Sequence, residues 1–210
     1  MLRAIAGLAL ALVLSGCAAE SIWAPDEAVQ AARYVHPGPT EIALVTSIND
    51  KTGGGAHSAI IINGSERVIF DPAGNWDGLG SPERNDVRFG FTPTREKHYL
   101  QYQSFQPYHV VVQRVTVPPG VAERALALAK ANGAVPPAFC ASATSGILRQ
   151  LPGFESMPST MYPDTLMEAF AAIPGVRTEV EFGSPDPEDP QRQPRMSPVI
   201  VAAMQARTGG

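Results

Sequence analysis

Three side chains could together carry nucleophilic chemistry at an acyl carbon: the thiol of Cys140, the imidazole of His57 and the carboxylate of Asp71. A thiol attacks as its thiolate, and a helix N-terminus or a neighbouring imidazolium lowers its pKa. Pro136-Pro137-Ala138-Phe139 runs into Cys140-Ala-Ser-Ala-Thr-Ser-Gly-Ile-Leu. Prolines just ahead of a small-residue run suit a helix start, so Cys140 is expected at or near a first turn. His57 follows the glycine run 53–55, which leaves room for a substrate. Asp71 could accept a hydrogen bond from the second ring nitrogen, fixing the tautomer and stabilising the imidazolium. Nucleophile, base and orienter are the parts that covalent acyl chemistry needs. The first backbone N–H groups of the Cys140 helix are candidate donors to the oxyanion.

A hairpin must position the base and the acid. Ser58 to Ile62 and Arg67 to Phe70 read as strand bodies, with Asn63-Gly64-Ser65 as the turn signal between them. A three-residue loop at 63–65 pairs Ile62 with Glu66. Counted outward, His57 then stands directly opposite Asp71 on one face of the sheet. A one-residue change of loop length would flip that relation. Before the hairpin, Asp26 could cap a short helix, and residues 41–48 read as a first strand. After it, residues 72–93 form a long loop in which Trp76 is expected to cover the site. Residues 94–102 suit a short helix, 108–117 the strongest strand, 121–132 a helix, 163–172 another, and 178–182 a last strand. Tyr108 and Tyr102 are candidates for lining the cleft, although aromatic residues near strands more often pack in a core.

The chain as a whole narrows the options. Its 210 residues suffice for one domain with a real core. A net charge of −4 with no basic block argues against a nucleic-acid partner. Arg3 followed by the apolar run Ile5 to Leu14 has the layout of a secretory signal and is too short to span a bilayer. Leu14-Ser15-Gly16-Cys17 resembles a bacterial lipobox, which implies cleavage before Cys17 and lipidation of its thiol. Ala18, standing where an aspartate would retain a lipoprotein at the inner membrane, points to the outer membrane. Of two cysteines, the lipobox takes one and leaves Cys140 without a disulfide partner. Such a thiol is either buried and inert or reactive, and its neighbours bear on which. His36, His98 and His109 read as structural or surface residues. No paired ligand spacing suggests a metal, and no cofactor is implied. Residues 183–198 are proline-rich and polar, and residues 183–210 are expected to be disordered, apart from a possible short helix after residue 198.

The order of these parts resembles the circularly permuted branch of the papain-like, NlpC-type cell-wall peptidases, which includes YiiX-like proteins and lecithin–retinol acyltransferase relatives. The resemblance rests on His57-Ser-Ala-Ile-Ile-Ile, Arg67-Val-Ile-Phe-Asp71-Pro and Phe139-Cys140-Ala-Ser. It spans roughly residues 40–172. It implies an α+β, papain-like fold: an antiparallel sheet with helices packed on it. The chain then divides into a signal peptide (1–16), a lipidated tether with a short helix (17–39), a catalytic domain (40–182) and a tail (183–210). It further implies hydrolysis or transfer at an amide or ester, with peptidoglycan stem peptides the commonest substrate of exported members. Two other readings stay open: acyl transfer or thioester hydrolysis on lipid, and a non-catalytic cell-envelope binding module.

Overall fold

The computed structural model describes residues 19–183 and 194–208. The signal-like segment 1–16, Cys17 and residues 184–193 of the tail lie outside the described residues. The described chain is a mixed α+β fold built on a seven-stranded antiparallel sheet. Its strands are β1 Glu41–Asn49, β2 Gly55–Asn63, β3 Arg67–Phe70, β4 Glu83–Arg84, β5 Val87–Phe89, β6 Tyr108–Thr116 and β7 Arg177–Phe182, in the spatial order β4-β5-β3-β2-β1-β6-β7. The α-helices among the described residues are α1 Asp26–Ala32, α2 Pro93–Gln103, α3 Pro119–Ala131, α4 Cys140–Leu148, α5 Pro163–Ala171 and α6 Pro198–Thr208.

Both faces of the sheet are covered, which is why β1 and β2 read as apolar runs rather than as alternating strands. One face carries Ile42, Leu44, Ile60, Ile62, Val68 and Phe70 and meets α3 to α6 through Leu126, Ile147, Leu166 and Ile200. The other carries Ala43, Val45, Ile61, Ile69, Val110 and Val112 and is capped by Trp76, Phe91 and Tyr99. Fully burying one such branched side chain stabilises the fold by roughly 1.5–3 kcal/mol, so the central strands are the firmest part of the scaffold.

The hairpin differs from its expected register. Its loop is Gly64-Ser65-Glu66, and the pairs are Ile60↔Phe70, Ile61↔Ile69, Ile62↔Val68 and Asn63↔Arg67. The shift from the expected Ile62–Glu66 pairing is two residues. Because side chains alternate with a period of two, His57 and Asp71 keep the same face but stand diagonally. Glu123 of α3 holds the loop, its Oε2 accepting from the Ser65 hydroxyl at 2.9 Å. The remaining space over Gly64 is taken, since a Cβ there would come within 2.8 Å of Leu126.

Residues 72–93 are not a plain loop. Asn85 and Asp86 adopt φ of 45° and 67°, the left-handed pair of a type I′ turn. They join β4 to β5, and β5 adds to β3. In the tail, the short helix expected after residue 198 is present as α6, and it is packed against the core. Ser197 accepts from the Val199 N–H and opens α6, and Ile200, only 1% exposed, is buried in the core. The apolar spacing of Ile200 and Met204 gives α6 a face to seat, which the preceding proline-rich composition had obscured.

Candidate active site

At its outer end β2 is irregular: Ser47 faces His57, whereas Ile48 faces Gly55, so Ala56 is an extra residue. A bulge of this kind bends the strand and re-aims the neighbouring side chain. His57 Nε2 meets Asp71 Oδ1 at 2.7 Å. The carboxylate is buried, while the imidazole keeps a window to solvent. Asp71 follows β3 directly, and its N–H donates to the Asp86 carbonyl at 2.8 Å.

Two features brace the acid. The Tyr99 hydroxyl donates to the same Asp71 Oδ1 at 2.7 Å. Tyr99 comes from α2, which starts with Pro93 at its first position and Thr92 as its cap. Gly74 closes over the carboxylate, and a Cβ there would lie 2.1 Å from Asp71 Oδ2. Trp76 does not cover the site. It is fully buried behind Tyr99, with ring centroids 5.2 Å apart, and its Nε1 donates to His98 Nδ1 at 2.9 Å. An indole this apolar is worth more in the core than over a cleft, provided its N–H finds a partner.

Cys140 is the first residue of α4 and is 7% exposed. The turn before it places Ala138 at a φ of 71°. With Nε2 of His57 held by Asp71, Nδ1 is the nitrogen left for the thiol. Burial opposes the charged thiolate, but the hydrogen bond and charge of His57 outweigh it and hold the Cys140 pKa below its ordinary value. The backbone N–H and hydroxyl of the buried Ser58 act in the same direction. For His57, burial likewise opposes the charge. Asp71, by charge and hydrogen bond, then Cys140, lift its pKa from 6.5 to about 10. The two shifts both act in favour of the thiolate–imidazolium form of the pair.

Asp86 joins the loop after β3 to the loop that precedes Cys140. Its Oδ2 accepts from the Val135 N–H at 2.7 Å, its Oδ1 from the Ala73 N–H at 3.3 Å, and its carbonyl from Asp71. Burial pushes its own carboxyl up to about 6, against the pull of those two N–H groups.

A cavity of about 650 Å³ opens beside His57, lined among others by Asn75, Tyr102, Gln103, Phe105 and Tyr108. Both tyrosines named as cleft candidates line it. Cys140, His57 and Asp71 are brought together; Cys17 lies outside the described residues. His36 pairs with Tyr34, and His109 with Asp50. Sequence reading missed Tyr99, Ser58 and Asp86. The adjacent Asn85-Asp86 was a usable turn signal. Tyr99 carried none, because its role depends on where α2 crosses the sheet. Among the described residues no group of three or more His, Cys, Asp or Glu could hold a metal ion, and no helix is long and apolar enough to cross a membrane. No protein-family model, curated protein or solved structure matches this chain.

Proposed function

We propose that the chain is a membrane-anchored cysteine hydrolase of the permuted papain-like kind, cleaving an amide bond of peptidoglycan stem peptides. The observation that carries this reading is the placement of His57 between a thiol whose pKa it lowers and a carboxylate 2.7 Å from its other nitrogen. The Cys140 thiolate attacks the amide carbonyl and a C–S bond forms. Negative charge moves to the carbonyl oxygen, near the N–H groups at the start of α4. The C–N bond breaks as the His57 imidazolium gives its proton to the leaving amine. A water, deprotonated by His57, then hydrolyses the thioester and returns the thiolate. Asp71 keeps the imidazole in register throughout. Lipidation at Cys17 would hold the enzyme at the outer membrane, facing the periplasm.

A competing reading on the same residues is cleavage or transfer of a lipid ester or thioester. Exposed Phe139, beside Cys140, favours it, as do exposed Met161 and Tyr162. Pro163, next to Tyr162, abuts Gly55, two residues before His57.

Iodoacetamide labelling of Cys140 against pH tests the nucleophile. With the thiol pKa lowered and the His57 pKa near 10, rapid labelling is expected well below pH 8.5, the range of a free thiol. Loss of the His57 proton above about pH 10 ends the ion pair. A profile that follows an unperturbed thiol sinks the proposal. Incubation with purified murein and with phospholipid vesicles then separates the two substrate classes, since the peptidoglycan reading requires new amines from murein and none of this activity in Cys140→Ala.

A further inference from the structure

We infer that the cavity beside His57 is a subsite for a neutral saccharide, held next to the bond that Cys140 attacks. The inference rests on the reading of Cys140 as nucleophile and adds which part of the substrate the enzyme recognises.

The lining supplies two kinds of contact and lacks a third. Three aromatic rings, Tyr102, Phe105 and Tyr108, come from one short segment at the end of α2 and the start of β6. Phe105 is 77% exposed and Tyr102 39% exposed, so their faces are open to a ligand. Three amide side chains, Asn75, Gln103 and Gln106, line the same space. Tyr102 ties the two kinds together, its hydroxyl donating to Asn75 Oδ1 at 2.8 Å. No Lys, Arg, Asp or Glu is among the lining residues.

Each ligand class makes a different demand on such a wall. A pyranose has an apolar C–H face that lies against an aromatic ring, whose face is negative. Its rim of hydroxyls needs donors and acceptors side by side, which an amide provides. It carries no charge, so it needs no Lys or Arg in the wall. A stem peptide brings carboxylates, and a nucleotide brings phosphates; the one cation this wall holds is His57, which Asp71 and Cys140 already engage. An acyl chain makes no use of three amides, and sites keep few polar groups that do not orient a ligand. Since His57 lines the cavity and also pairs with the Cys140 thiol, a sugar there would bring a substituent amide toward the thiol. The bond this favours is the one linking a peptide to its sugar, rather than one within the peptide.

The test uses the full-length chain with Cys140→Ala, titrated by calorimetry with N-acetylglucosamine tetramer, with a neutral N-acyl amide of twelve carbons, and with a stem tripeptide bearing free carboxylates. Saccharide binding is expected, weakened at least tenfold by Phe105→Ala and by Tyr102→Ala and retained by Phe105→Trp. Phe105 is exposed enough that these changes leave the fold intact, which circular dichroism checks. Saccharide binding that ignores both alanine variants overturns the subsite. So does acyl-amide or tripeptide binding that depends on Phe105 while the sugar does not bind. The parent reading fails separately. Inert Cys140 in the wild type, with saccharide bound, removes the nucleophile and leaves the subsite; rapid labelling of Cys140 with no saccharide binding does the reverse.

Discussion

Two histidines stand on neighbouring rungs of β1, each against a buried carboxylate. His57 lies across from Ser47 and meets Asp71 through Nε2 at 2.7 Å. His109 lies across from Ile48 and meets Asp50 through Nδ1 at 2.6 Å. Successive rungs face opposite sides of the sheet, and that alternation separates their surroundings. His57 looks onto a cleft and a thiol. His109 is 1% exposed and packs on Phe182 with ring centroids 5.7 Å apart. The carboxylate partner is therefore common to both and cannot be what makes a site. Access and a third reacting group do that. His109 has a framing task instead. Asp50, which it holds, also donates its N–H to the Pro107 carbonyl at 2.8 Å. The two bonds pin one end of the turn 50–54 that opens space before His57.

Substituting one member of each pair breaks the comparison most directly. His57→Ala should cut amide hydrolysis by about 10²–10⁴-fold, the usual contribution of a positioned acid–base group, with a smaller loss of stability than His109→Ala, because Asp71 keeps the Tyr99 hydroxyl as a donor. His109→Ala should do the opposite. It leaves the Asp50 carboxylate buried without its partner, at a cost of about 3–5 kcal/mol, while the molecules that remain folded turn over at nearly the normal rate. Denaturant titration and active-site-normalised rates on both variants check this. A His109 variant that is stable but inactive, or a His57 variant that is unfolded, would dissolve the distinction.

Gly74→Ala sharpens the catalytic side without touching either histidine. The added methyl would sit 2.1 Å from Asp71 Oδ2, so the carboxylate must move. A displacement of about 1 Å can cost on the order of 10²-fold in rate. The expected result is a fall in kcat of that order with the protein still folded. A Gly74→Ala enzyme with normal kcat would show that Asp71 does not hold the imidazole during turnover.

The sequence and the structure agree where local signals were strong and part where the outcome depended on packing. The β-branched run at 108–116, the glycine and proline punctuation, and the prolines ahead of Cys140 placed strands and helices within a few residues. The histidine strand and the acid's strand were legible because Asn63-Gly64 sits between two apolar runs. Their register was not, since Glu123 and Leu126 of α3 decide which residues close the loop, and nothing near residue 64 announces α3. The same-face relation of His57 and Asp71 survived only because the error was even. Trp76 misled because an indole in a glycine-rich loop looks like a lid until Tyr99 and Phe91 are found beneath it. His109 was read as facing either core or solvent. Its partner Asp50 lies just ahead of the glycine run 53–55 and 59 residues from His109 along the chain, so the second pair leaves no trace in spacing.

Tyr99→Phe gives the smallest expected effect and the finest discrimination. The phenol is fully buried, and burial together with Asp71 raises its pKa well above 10, so it is a fixed donor at any working pH. Its bond and that of His57 share Asp71 Oδ1. Removing the hydroxyl leaves that oxygen with one fewer donor and more charge to offer the imidazolium. The His57 pKa, already about 10, should move further up, because the charged form gains. A more firmly held proton is given less readily to the leaving amine, so kcat should fall by less than about tenfold, in proportion to one hydrogen bond of roughly 1 kcal/mol. The alkaline limb of Cys140 labelling should shift to higher pH at the same time. A packing role for Tyr99 predicts the loss of rate without the shift. A limb that moves down in pH would mean that Tyr99 helps Asp71 hold the proton on His57, the reverse of the division of labour drawn from the shared oxygen.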